Sequence, residues 1–303
     1  MTIAIAVKVH DGVVLAADSA ASIMHPAGAA HGLAAWVYNN ANKVFRLGKD
    51  LRVGGVVWGA GSIGPVSIST LARDLEARFT FGGDPLAVVP GNYTVKDVTE
   101  KVRRFFYEEK YLAAYPAPPP APAAPPGGPP PAAAPERPSL GLLVAGFSTG
   151  ADLAEVYRID IHDGDCPEPF LAMATAATGY LWHGQPEALN RLLDGYDARL
   201  KSVFEQLFRQ AGLPVDQIGR QVEALMSQIK AAFNIPLYTD PMPIQDAIDL
   251  AEFLVQTAIG FTRFRAGSPT VGGPIEIAAI TKHDGFKWIK HKQYFPRRLN
   301  PWT

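Results

Sequence analysis

Residues 2–22 read TIAIAVKVHDGVVLAADSAAS. Two apolar, β-rich runs, residues 2–9 and 13–17, flank His10-Asp11-Gly12. Asp-Gly is a strong hairpin turn signal, because a tight two-residue turn needs left-handed backbone that these residues tolerate. A β-hairpin therefore opens the chain. Asp18 follows five apolar residues at the end of its second strand, where a charge is costly unless it is paired.

Working outward, Lys43 opens another strand-like run. Alternation along that strand puts Lys43 on the side of Phe45 and Leu47 and turns Arg46 the other way. Residues 43–47 and 51–58 form a second hairpin around Gly48-Lys49-Asp50, while the Ala/Gly-rich stretch 23–40 reads as a loop. Residues 66–79 carry Ile68, Leu71, Leu75 and Phe79 on one helical stripe. Thr94, with Asp97 three residues on, caps a helix reaching about residue 115. Residues 116–138 are almost wholly Pro, Ala and Gly, a composition that builds no core and implies a disordered loop insertion. Strands resume at 140–147 and 154–161, helices at 186–211, 214–233 and 244–261, and the last strand pair spans 275–281 and 286–290. Such an order does not alternate as a parallel βαβ fold does. It fits an α+β domain of two antiparallel sheets face to face, with helices outside and 186–233 as a helical insertion, all within one domain over 1–303.

The composition narrows the function. Among 303 residues, 48% are apolar and the formal net charge is −1, so nucleic acid is not an expected partner. The locally basic stretch 287–298 reads as a solvated tail. A single cysteine, Cys166, excludes an internal disulfide and a cysteine-rich metal site. No leader pattern and no membrane-length apolar run is visible, so a cytoplasmic protein without membrane contact is expected. No feature points to a metal or an organic cofactor. Three His-Asp-Gly trios, at His10, His162 and His283, read as exposed turns rather than metal ligands.

Three constellations could carry chemistry. Gly59-Ala60-Gly61-Ser62-Ile63-Gly64 matches the G-x-G-x-x-G of a dinucleotide site, but no acidic residue closes a second strand at the required spacing. Around the same segment, Ser62 could sit on a nucleophile elbow, with Asp163 or Asp165 and His183 or His283 as partners. The third is Thr2, Asp18 and Lys43. Removal of Met1 would give Thr2 a hydroxyl and a free α-amine, and an amine with pKa near 8 is a competent general base at neutral pH. A cation near the hydroxyl and a carboxylate holding that cation complete such a site. Spacing alone leaves Asp18 and Lys43 equally readable as a structural salt bridge.

The opening stretch resembles the start of mature proteasome β subunits and their bacterial relatives, among them the Anbu proteins. The shared pattern is an N-terminal Thr, an apolar strand, a D-G turn and V-V-L-A-A-D, with sixteen residues from Thr2 to Asp18. Further matches are Asn42-Lys43-Val44-Phe45, Trp58-Gly59, Leu143-Val144-Ala145-Gly146 and Ala279-Ile280-Thr281. The resemblance implies a divergent N-terminal-nucleophile hydrolase with a four-layer αββα sandwich. It implies a threonine endopeptidase: Thr2 as nucleophile and base, Lys43 lowering the hydroxyl pKa, Asp18 holding Lys43, and the Gly59 N–H stabilising the oxyanion. Thr178 and Ser268 take the places of two supporting serines. Ser22 pairs with the substrate backbone, and Ala21, Ala41, Val57 and Gly61 line an uncharged specificity pocket. Implied partners are a peptide or unfolded protein substrate, copies of the same chain in a ring, and an ATPase regulator. A non-catalytic ring subunit is the alternative. Two departures stand out: Arg263-Phe264-Arg265-Ala266-Gly267-Ser268 lacks the family's second aspartate, and Ala20 replaces a common arginine.

Overall fold

The computed structural model describes residues 2–24, 34–117, 137–267 and 269–293. Its mixed α+β fold is built on antiparallel sheets. The first strands are β1 (Ile3–Val9), β2 (Gly12–Ala17), β3 (Ala21–Met24), β4 (Ala34–Tyr38), β5 (Val44–Arg46), β6 (Val53–Gly59), β7 (Ser62–Ile63) and β8 (Val66–Ser67). After two helices come β9 (Leu140–Gly146), β10 (Glu155–Ile161), β11 (Phe170–Met173), β12 (Gly179–Gly184), β13 (Glu276–Thr281) and β14 (Gly285–Lys290). One five-stranded sheet has the order β12-β1-β2-β13-β14, and another has β11-β10-β9-β6-β5.

The opening hairpin is the centre of the first sheet, with Ala4 opposite Ala17 and Lys8 opposite Val13. Every residue of β1 and β2 is buried. Their alternation divides the core. Ile3, Ile5 and Val7 pack on Ala247, Ala251 and Leu254 of the long helix Ile244–Phe264. Ala4, Ala6, Leu15 and Ala17 meet Val44, Val56, Leu143 and Ala145 of the second sheet. On β1 the small Ala4 and Ala6 face that seam, where they let the sheets approach closely, and the larger Ile3, Ile5 and Val7 face the helix.

On the second sheet, Val57, Leu142 and Val144 pack against helix α1 (Ile68–Thr80) and helix α2 (Val95–Arg103). Both helices start on hydroxyl caps: Ser67 accepts from the Thr70 N–H, and Thr94 accepts from the Asp97 N–H. The helical run from α2 continues through a wider-turned stretch, Arg104–Tyr111, to Leu112–Ala114.

The structure differs from the sequence expectations in three places. The stretch 23–40 is not a plain loop, because β3 and β4 pair there as a ribbon. The helix expected over 186–211 is broken: Gly195 stops a first short piece in a left-handed conformation, φ 79°, and a new helix runs Leu200–Gln210. That helix buries no residue fully and shares a separate small core with Val215–Phe233, built on Ile218, Val222 and Met226. Strands β11 and β12 occupy a stretch in which the sequence pattern marks no element. Most of the Pro/Ala-rich segment 116–138 lies outside the described residues.

Candidate active site

Thr2 stands immediately before β1, and Asp18 immediately after β2, so the hairpin register sets them side by side. The Asp18 carboxylate is fully buried. Its Oδ1 accepts from the Ile3 N–H at 3.0 Å and from Lys43 Nζ at 2.7 Å. Its Oδ2 accepts from the Ala20 N–H at 3.1 Å and from the Gly272 N–H at 2.9 Å. Four donors fill the acceptor capacity of one carboxylate, the condition under which a buried ion pair survives its desolvation cost. Burial pushes the Lys43 amine below the usual lysine range, and the charge and hydrogen bond of Asp18 push it back in part.

Thr2 is buried, and its carbonyl accepts from the Gln185 N–H at 2.7 Å. It is thus fixed from both sides, through Ile3 to Asp18 and through its own carbonyl to the end of β12. Thr2 and Lys43 line one cleft of about 340 Å³. Ala21, Ser22, Ala41, Val57, Gly59 and Gly61 line the same cleft. Ser22 Oγ is a buried hydroxyl with no hydrogen-bond partner among the described residues. Gly59 ends β6 at φ 89°, where an added Cβ would lie 2.4 Å from the Ser139 carbonyl oxygen, so only glycine fits. Across the cleft, a Cβ on Gly61 would stand 3.9 Å from that of Ala21.

Two expected residues are not brought to this site by the described structure. Thr178 adjoins Gly179, whose β1 partner is Lys8, at the opposite end of the strand from Thr2, and its hydroxyl donates to Asp240. Repeated small residues in 174–179 offered the sequence no register, and the strand pairing supplies one. Ser268 lies outside the described residues. Nearby, Arg265 is tied to Glu187 by an ion pair.

The readings based on Ser62 are corrected. Ser62–Ile63 pairs with Val66–Ser67 as a short hairpin, turned at Gly64 with φ 55°, so the segment is neither a phosphate-cradling strand-to-helix turn nor an elbow on a parallel sheet. The Ser62 hydroxyl meets no histidine or carboxylate among the described residues, and His183 instead stacks on Trp58 with ring centroids 4.4 Å apart.

Sequence reasoning missed a second buried carboxylate. Glu276 opens β13 opposite Ala17 and is fully buried. It accepts from the Lys43 N–H at 2.9 Å and pairs with Lys292 at 3.1 Å and His291 at 3.1 Å. Burial raises its pKa, but those partners outweigh burial and hold it below the ordinary carboxylate range. A signal exists in the sequence: a lone Glu within the apolar run Ile275-Glu276-Ile277-Ala278-Ala279-Ile280. Lys292, expected in a solvated tail, is largely buried. The cleft also gains Tyr38, Trp58 and Tyr115, which no periodicity singles out.

No protein-family model matches the chain, and no curated protein matches it by sequence. Among solved structures, it is similar to Anbu (ancestral beta-subunit) from Yersinia bercovieri, with 14% identity, a TM-score of 0.43, and coverage of 96% of this chain and 88% of that one. No helix among the described residues is long and apolar enough to cross a membrane.

Proposed function

We propose that this chain is a proteasome-like threonine peptidase, with the four-layer αββα sandwich of N-terminal-nucleophile hydrolases. The observation that carries the reading is that Thr2 and the buried Lys43, which is paired with Asp18, line one cleft. A fully satisfied buried pair stabilises a fold only weakly. A cation that lines the same cleft as a hydroxyl has a chemical use.

In the proposed reaction, Met1 is removed and the α-amine of Thr2 takes the proton from its hydroxyl as Oγ1 attacks a peptide carbonyl carbon. Lys43 stabilises the developing alkoxide, and the Gly59 N–H receives the oxyanion. The proton passes to the leaving amine as the C–N bond breaks, which leaves an ester on Thr2. Water, deprotonated by the same amine, then attacks the ester and restores Thr2. Strand β3 supports a peptide substrate: among the described residues it pairs with β4 alone, and its Ala21 and Ser22 line the cleft. An extended chain added along such an edge gains main-chain hydrogen bonds. The uncharged walls at Ala21, Ala41, Val57 and Gly61 favour an apolar substrate side chain, because nothing there offsets desolvation of a charge.

Hydrolysis of fluorogenic peptides tests the proposal. Thr2→Ala abolishes turnover with the fold intact, and Lys43→Ala is nearly as damaging; turnover retained in Thr2→Ala overturns the assignment. We also propose a homo-oligomeric ring, which light scattering would contradict by showing a monomer at micromolar concentration. A non-catalytic ring subunit is the reading left if the trimmed wild-type chain shows no turnover.

A further inference from the structure

Two buried carboxylates converge on the start of β5, and only Asp18 has a role so far. Glu276 touches Lys43 through its backbone rather than its side chain. One of its oxygens accepts from the Lys43 N–H at 2.9 Å and from the Val44 N–H at 3.4 Å. Its other oxygen holds Lys292 Nζ and His291 Nδ1. Lys292 reaches further, donating to the Ala41 carbonyl at 2.9 Å and to Ser19 Oγ at 2.5 Å. Ser19 in turn donates from its N–H to the Gly272 carbonyl at 2.9 Å, beside the Gly272 N–H that Asp18 accepts. His291 is set by stacking on Trp288, with centroids 4.0 Å apart.

These bonds form a closed frame. It joins the chain after β14 to the two backbone segments, 18–19 and 41–44, that present Asp18 and Lys43. A solvated tail has no need of a fully buried carboxylate, and a structural pair has no need to bond both segments at once.

We propose that Glu276 and Lys292 are positioning residues for Lys43: their buried pair fixes the segments on either side of the Asp18–Lys43 bond and sets the field in which the Lys43 amine works. The inference rests on the reading of Lys43 as the cation that serves Thr2. The charged groups facing Lys43 are Asp18 from the end of β2, Glu276 from β13 and Lys292 from the chain after β14, and Thr2, whose freed α-amine would titrate, lines the same cleft; His291 bonds Glu276. Lys292 lowers the proton affinity of Lys43 by charge repulsion, and Glu276 raises it by attraction. Removing one or the other therefore shifts Lys43 in opposite directions, an outcome that loosened packing does not produce.

Competitive acetylation of the intact folded chain over a pH series, read at Lys43 by peptide mass spectrometry, tests this without requiring turnover. Lys292→Met moves the Lys43 midpoint upward by about half a pH unit or more, Glu276→Gln moves it downward, and Lys292→Arg restores the wild-type midpoint. Circular dichroism establishes that each variant is folded; if Lys292→Met does not fold, Glu276→Gln and Lys292→Arg still decide. Midpoints unchanged, or shifted in one direction by both charge-removing variants, overturn the proposal. In the peptide assay, Lys292→Met lowers kcat about tenfold or more with little change in KM, and Lys292→Arg recovers it. A wild-type chain without turnover counts against the peptidase reading, while the Lys43 midpoints still decide the positioning role.

Discussion

The two ends of β1 solve one problem in different ways. Each holds a lysine out of water: Lys43 beside the Thr2 end and Lys8 at the other. Lys8 Nζ donates to the Ala174 and Thr175 carbonyls at 3.1 and 2.6 Å, and no carboxylate of the described residues bonds to it. Burial lowers the pKa of both amines, with Glu155 opposing at Lys8 and Asp18 at Lys43. The turn that Lys8 fastens joins β11 of one sheet to β12 of the other. Lys43, bonded to a carboxylate that also grips the hairpin, faces a cleft. Burial of a lysine is thus no sign of chemistry; what it bonds to and what it faces separate a clasp from a candidate catalytic cation.

Breaking the cleft end has the largest expected effect. In Asp18→Asn the amide NH₂ cannot replace an acceptor oxygen, and Lys43 is left buried without its counter-charge. Breaking a buried pair this way costs about 3–5 kcal/mol. Denaturant unfolding should register that loss, and covalent labelling of Thr2 should disappear. Asp18→Asn with unchanged stability would mean that the pair is not buried as described.

Lys8→Met sharpens the contrast. It leaves two carbonyls without their donor, a loss of about 1–3 kcal/mol, and removes a buried amine. Stability falls, yet Thr2 labelling persists in the folded variant. Lost labelling in a folded Lys8→Met protein would show that the two ends are coupled.

The smallest effect belongs to the helical pair Leu200–Gln210 and Val215–Phe233, which keeps its own small core. Its two flanks already meet, since the Ile235 N–H donates to the Leu193 carbonyl at 3.2 Å. Replacing residues 196–232 by a short turn, with Asp194→Asn to remove the charge that Lys230 pairs, should leave Thr2 labelling unchanged. Lost labelling in a folded variant of this kind would place the pair within the working site.

Where the sequence was legible, local chemistry had no rival. The Asp-Gly turn sets the β1–β2 hairpin, Thr94 caps its helix, and a charge closing the apolar run at Asp18 announces a buried partner. Legibility failed where tertiary pairing decides. The Ala/Gly-rich stretch around β3 and β4 has no alternation to read. Thr178 sits among small residues whose register only β1 fixes. Glu276 and Lys292 are sixteen residues apart in sequence and meet only because β13 and β14 fold back beside Lys43. A cleft lined by Tyr38, Trp58 and Tyr115 draws each of its walls from a different element.

The central claim is that Thr2, freed at its amine, is the nucleophile. Intact-mass measurement of the purified protein before and after treatment with a peptide epoxyketone tests it most directly, because that group captures a hydroxyl and an α-amine on the same residue. The account predicts a chain lacking Met1 that gains one inhibitor mass, mapped to Thr2 and absent in Thr2→Ala. A chain that retains Met1, or a trimmed chain that takes up the inhibitor at another residue or not at all, would contradict it.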